Sequence, residues 1–163
     1  MSIQLPTAGA DAVVVAFGAD EAATARTRLA ALGRVEEIAE GVVALRLKVA
    51  ADEPRTVWRD ILAHCPESKW AAPVLRDADG NELWPTGALI VRFRRRPSDK
   101  QLDAFAAEEG LVVGARNEFV PEQASFRPRH PRAEYLPDLV ARVARRAEVA
   151  AAWAGTASRY RRT

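Results

Sequence analysis

Two short apolar runs, residues 12–17 and 88–93, share one pattern: small and β-branched residues in succession, closed by a phenylalanine (Phe17, Phe93). A polar turn follows each. Next comes a stretch with apolar residues three and four apart, ended by a glycine (Gly33, Gly110), and then a Val-rich segment. Short bounded apolar runs predict strands, and three-and-four spacing predicts amphipathic helices. A pattern written twice predicts one structural unit used twice.

In the first copy, Asp20 is placed to N-cap a helix that carries Ala22, Ala25, Leu29 and Leu32 and ends at Gly33 as its C′ residue. Val35 and Ile38 predict a strand and Gly41 a turn, and Val43, Leu45, Leu47 and Val49 alternate as in a half-buried strand. Pro54 suits the first turn of a second helix whose apolar face is Val57, Trp58, Ile61 and Leu62, with Cys65 and Pro66 at its end. Residues 70–75 predict a closing strand. Between the copies, residues 77–82 faintly resemble a calcium loop, but no glutamate occupies the closing position after Gly80, so a tight turn is expected.

In the second copy, Ser98 and Gln101 form a capping-box pair ahead of Leu102, Phe105 and Ala106, with Gly110 at the helix end. Residues 111–113 predict the second strand and residues 117–124 a third, containing Phe119 and Pro121. Residues 125–133 then read as a long loop. A helix follows with Pro137 in its first turn and Leu136, Leu139, Val140 and Val143 on one face, then a strand over residues 149–153 and an extended tail from Gly155. Both copies have the order β-α-β-β-α-β. The expected fold is therefore α+β: two tandem ferredoxin-like units with antiparallel sheets, over residues 1–80 and 81–163.

Composition adds an asymmetry. Hydrophobic residues make up 48% of the 163 and charged ones 28%, as expected of a chain that folds around a core. Residues 1–82 hold 9 basic and 13 acidic side chains, a net of −4, and residues 83–163 hold 15 and 9, a net of +6. The first unit is thus acidic and the second basic, which makes the second the place to meet an acidic partner surface. No apolar run is long enough to cross a bilayer and no signal peptide is visible. The single cysteine, Cys65, leaves no internal disulfide. Together these give an expected cytoplasmic location and no membrane partner.

The chain offers little chemistry. Of its two histidines, His64 is next to Cys65 with no second cysteine to supply a zinc pattern, and His130 lies between Pro128 and Pro131 among arginines as a surface-loop residue; no glycine-rich phosphate loop is present. Glu36-Glu37 and Glu108-Glu109 read as solvated edges rather than an acid/base pair. The expectation is no enzyme, no cofactor and no metal. The features left are suited to binding: Arg92, Arg94, Arg95 and Arg96 at a strand end, Arg127, Arg129 and Arg132 in the predicted loop, and Arg159, Arg161 and Arg162 in the tail. Of these, Arg94, Arg95, Arg127 and Arg129 are candidate partner contacts. Nucleic acid is not the expected partner, because no strand carries interleaved aromatics; Phe93, Phe119 and Trp153 are expected in a core against Leu102, Phe105 and Val143.

The strand at residues 89–93, the helix of residues 99–109 leading into Gly110-Leu111-Val112-Val113, and residues 139–152 with their Val149-Ala150-Ala151-Ala152 ending resemble the N-terminal propeptides of subtilisin-like serine proteases. The segment 117–126 is also similar to the prodomains of fervidolysin-type subtilases. The resemblance covers residues 85–163. It implies a non-catalytic inhibitor or folding chaperone whose sheet packs on the protease and whose C-terminal tail runs through the substrate cleft as an added strand. The tail would be Ala157, Ser158, Arg159, Tyr160, Arg161, Arg162 and Thr163. With Thr163 in the primary pocket, the preferred register, Tyr160 falls in the fourth subsite. With Tyr160 in the primary pocket, Ala157 does. The implied partner is a separately encoded subtilisin-like protease, and the alternative is a tandem ferredoxin-like protein-interaction module with no protease target.

Overall fold

The computed structural model describes residues 6–48 and 53–157. They form a mixed α+β structure with eight strands and four α-helices: β1 Thr7–Phe17, α1 Ala22–Ala30, β2 Gly33–Ala39, β3 Val42–Leu47, α2 Pro54–His64, β4 Ser68–Arg76, β5 Glu82–Phe93, α3 Asp99–Glu109, β6 Leu111–Arg116, β7 Gln123–Pro128, α4 Leu136–Ala144 and β8 Val149–Ala157. The chain divides into two compact units. The first runs to Pro85 and the second from Thr86 to Thr156, with Ala157 grouped with the first.

In the first unit the sheet order is β2-β3-β1-β4, followed by the start of β5 through the pairs Leu75–Leu83 and Arg76–Glu82. All its pairings are antiparallel. β1 is buried without a break from Ala12 to Phe17, so both faces of this central strand are covered. One face turns Val13 and Val15 inward with Leu45, Leu29 and Ile61, all at most 1% exposed. Trp58 of α2 donates its indole N–H to the Ala71 carbonyl at 2.8 Å, which ties that helix to β4. The other face gathers Ala12, Val14, Val74 and Trp84, with Ile38, Val42 and Trp70 packed against them.

Around that second apolar cluster runs a chain of ions. Arg46, cross-strand from Ala12, makes a bidentate pair with Glu82 at 2.7 and 2.6 Å and reaches Glu36 at 3.6 Å. Arg76 bridges Glu82 at 3.4 Å and Asp11 at 3.0 Å. These five residues come one from each strand of the unit, so the pairs fix register as well as charge. Val43, Ala44 and Leu45 are all buried, which replaces the expected half-buried alternation of β3 with a strand covered on both faces.

Two expectations for the first helix are corrected. Asp20 lies inside a 3-10 turn, Ala19–Glu21, and α1 begins at Ala22 behind Glu21 with no side-chain cap. Gly33 does not end the helix; it opens β2. A Cβ there would lie 1.9 Å from the Arg46 carbonyl oxygen, so close backbone approach between β2 and β3 demands glycine. Gly41, with φ of 71°, does make the β2–β3 turn, and Pro54 does occupy the first turn of α2.

In the second unit the order is β8-β5-β7-β6. Counted within each unit, this is the strand order of the first. β5 and β8 run in opposite directions, with Arg94 N–H donating to the Glu148 carbonyl at one end and Thr86 Oγ1 to the Gly155 carbonyl at the other. The core here is aromatic. Phe105 of α3 packs edge-on to Phe93 at 5.1 Å between ring centroids and lies 5.3 Å from Phe126, which is fully buried. α3 carries the expected capping box, with Ser98 Oγ accepting from Gln101 N–H at 3.1 Å and Gln101 Oε1 from Ser98 N–H at 2.9 Å. It ends at Gly110 in the left-handed region. α4 is held to α3 by Arg142, whose Nε donates to Glu109 at 2.9 Å.

The third strand of this unit is displaced from the expected position. Residues 117–122 form a turn, because Asn117 Oδ1 accepts the backbone N–H groups of both Phe119 and Val120. The strand comes after it, at Gln123–Pro128, sharing only residues 123 and 124 with the expected strand and otherwise lying where a long loop is expected. Phe119 is consequently 93% exposed and no part of the core. Gly155, Thr156 and Ala157 belong to β8 and not to an extended tail.

Candidate functional site

The two faces of the second sheet differ in what they carry. β5 turns Leu89, Val91 and Phe93 toward the helices, and β7 turns Ala124 and Phe126 the same way. The intervening positions face outward: Ile90 opposite Ser125, Arg92 opposite Gln123, and Arg127 opposite Val112. Arg92 is exposed, lies 5.9 Å above the ring of Trp153 on β8, and donates to Gln123 Oε1 at 3.3 Å. Trp153 is half-buried, which corrects the expectation of a core ring. Val112 is 50% exposed, and Arg127 donates to the Thr86 carbonyl at 3.2 Å. This face therefore combines cations, one flat aromatic and aliphatic surface, the combination that binds acidic and apolar protein surface.

A second feature lies where β5 ends. Arg94, Arg95, Arg96 and Pro97 form one wall of a groove of about 660 Å³, and the α3 residues Gln101, Ala104, Phe105 and Glu108 with Arg146, Ala147 and Glu148 complete it. Arg94 has a structural task as well: its Nε donates to the Ala147 carbonyl at 3.0 Å, clamping the strand end to the turn before β8. Arg95 and Arg96 are exposed and form no ion pair among the described residues. Arg146 sits over the Phe105 ring at 4.8 Å and contacts Glu108 at 2.6 Å and Glu109 at 3.2 Å. Burial alone would lower its pKa, but the carboxylates of Glu108, Glu148 and Glu109 outweigh this and raise it. It is a fixed positive charge.

The predicted contacts are thus separated. Arg94 and Arg95 line the groove, Arg127 stands on the open face, and Arg129 follows β7 with its backbone N–H bonded to the Gly110 carbonyl at 2.9 Å and its side chain exposed. Of the predicted tail, Ala157 is the exposed last residue of β8, and Ser158, Arg159, Tyr160, Arg161, Arg162 and Thr163 lie outside the described residues. The Arg146 cluster was not foreseen. Glu148 is two residues away, but Glu109 and Glu108 stand 37 and 38 residues away on α3, a separation at which spacing carries no signal. The outward position of Arg92 was readable from the alternation of β5.

His64, Cys65 and Asp77 have structural partners. His64 Nε2 lies 3.0 Å from the Arg28 carbonyl oxygen. Burial pushes the Cys65 thiol pKa up, with neighbouring Glu67 adding to the effect, so the sulfur stays protonated and a poor nucleophile. Asp77 accepts from the backbone N–H groups of Asp79 and Asn81, which makes residues 77–82 a turn. Among the described residues no three His, Cys, Asp or Glu side chains gather as metal ligands. Comparison of the chain with family models, with curated proteins and with solved structures finds no match, so no family is assigned on that basis.

Proposed function

We propose that the chain is a non-catalytic binding protein built of two ferredoxin-like units, and that the second unit docks on a protein partner through the outward face of Arg92, Trp153, Ile90 and Arg127. The observation that carries this reading is the Arg92–Trp153 pair on the outer side of a sheet whose other side packs on α3 through Phe93 and Phe126. The strand order β8-β5-β7-β6 supports the ferredoxin-like assignment of this unit, and β2-β3-β1-β4 that of the first. The resemblance of residues 85–163 supports a subtilisin-like serine protease as the partner, with the chain acting as inhibitor or folding chaperone. In that arrangement the sheet face holds the protease surface and the residues after β8 enter the cleft. A tail tethered to a folded domain loses less entropy on binding than a free peptide, which favours tight inhibition.

The test is a titration of the full chain against a panel of subtilases, alongside chains lacking residues 158–163 or carrying Arg92→Glu. Inhibition abolished by the truncation and weakened by the charge reversal is the expected result. Absence of inhibition by the full chain refutes the protease reading. Partner binding that survives the truncation and is lost with Arg92→Glu identifies an interaction module without cleft insertion.

A further inference from the structure

The turn between β6 and β7 holds an aromatic side chain in solvent by design of its backbone. Asn117 Oδ1 takes two N–H groups at 2.9 and 3.0 Å, Asn117 N–H bonds the Gln123 carbonyl, and Gln123 N–H bonds the Val120 carbonyl. At its tip is Phe119, 93% exposed, preceded by the exposed Glu118 and followed three residues later by Glu122. Single exposed apolar residues are ordinary. A phenylalanine on a pre-shaped loop between two carboxylates is not: the turn's backbone is already ordered and the charge pattern is set.

The same unit contains a receptor of complementary character. The groove at the end of β5 is lined by Phe93 and Phe105, themselves only 5% and 4% exposed, by Arg94, Arg95, Arg96 and Arg146, and by Glu108 and Glu148; Arg146 pairs with both carboxylates, and the other three arginines have no ionic partner among the described residues. Loop and groove lie at the same end of the unit. The Glu122 carbonyl accepts from Phe93 N–H at 2.8 Å, and Arg116 donates from the base of the loop to the Pro97 carbonyl at 2.7 Å and to Asp99 at 3.0 Å. A projecting anchor and its complement placed side by side on one surface suit a two-fold axis, on which each copy gives its loop and receives the other's.

The geometry points to a symmetric homodimer in which Phe119 of each copy enters the arginine-lined groove at the end of β5 of the other, with Glu118 and Glu122 meeting Arg95 and Arg96. This goes beyond the docking face proposed above and uses none of its residues, so either can fail alone. Sedimentation velocity of the full chain over a concentration series reads it. The expected result is a monomer–dimer equilibrium weakened about 30-fold or more by Phe119→Ala, and comparably by Arg95→Glu with Arg96→Glu. Adding Glu118→Arg and Glu122→Arg to that double variant restores the dimer by reversing both sides of the contact. Circular dichroism verifies folding; since Phe119 makes no core contact, its variant remains informative even where an arginine variant unfolds. Monomer at every concentration, or a dimer indifferent to Phe119→Ala, overturns the proposal, and open-ended polymers overturn its reciprocal form.

Discussion

The two units share one strand order and use their sheets in opposite ways. In the first, the side of the sheet carrying Ala12 and Val14 is closed by Trp84, Trp70 and Ile38 and bordered by the Arg46–Glu82 and Arg76–Asp11 pairs. In the second, the corresponding alternation puts Ile90, Arg92, Arg127 and Val112 outward, with Val112 half exposed and Arg92 lying on Trp153. A sheet covered on both faces has no surface left with which to recognise anything. One repeat has invested its second face in its own stability, and the other has kept that face available, which is why the proposed docking surface belongs to the second.

The sharpest way to break this contrast is to place a charge on equivalent outward positions of the central strands. Val14 is fully buried, so Val14→Asp strands a carboxylate beside Val74 and Trp84 and should cost at least about 4 kcal/mol, enough to unfold the first unit. Ile90 is half-buried at an open face, and Ile90→Asp should cost about 1–2 kcal/mol because water reaches the new carboxylate. Urea titrations followed by tryptophan fluorescence measure both. Equal losses would mean that the second face is as closed as the first.

Among the described residues the ion chain of the first unit has no equivalent on the outer face of the second, and pH separates them. Two hydrogen bonds from Arg46 hold the Glu82 pKa below the usual carboxylate range, against the opposing effect of burial. A carboxyl whose folded pKa lies below its unfolded one contributes its full stabilisation above the unfolded value. That contribution is lost as pH falls through the folded value. Glu82→Gln should therefore cost about 1–2 kcal/mol at neutral pH. It should also make the acid limb of the stability curve shallower by up to one proton. Thermal melts between pH 7 and pH 3 test it, and a variant with the parental acid limb would show that Glu82 is not linked to folding.

What could be read from the residues alone follows the range of the forces involved. The capping box at Ser98 and Gln101, the left-handed Gly110 and the proline at the start of α2 depend on bonds within a turn, and the structure has all three. The repeated β-α-β-β-α-β order was equally legible, because strand and helix periods are local. Gly33 is not legible in this way, because a helix-ending glycine and one forced by a neighbouring strand look alike in sequence; only the Arg46 carbonyl, 13 residues on, distinguishes them. The turn at residues 117–122 carries a strand-like pattern in sequence, and the Asn117 side chain overrides the apolar pattern of Phe119 and Val120. The groove joins a strand end, a helix and the turn before β8, and no local pattern foretells such a meeting.

The smallest difference between the repeats lies at the start of each unit's first helix. Ser98 accepts from Gln101 N–H and Gln101 reaches back to Ser98, so two N–H groups that the helix leaves open are satisfied by side chains. The first helix has no such device: Asp20 sits in the preceding 3-10 turn, and neither it nor Glu21 caps through its side chain. Ser98→Ala should lower stability by about 1 kcal/mol, while Asp20→Ala should stay within about 0.5 kcal/mol of the parent. Denaturant midpoints at constant m-value decide it. A loss at Asp20 matching that at Ser98 would mean that the 3-10 turn gives way in solution to a helix capped by aspartate, and the two repeats would then begin alike.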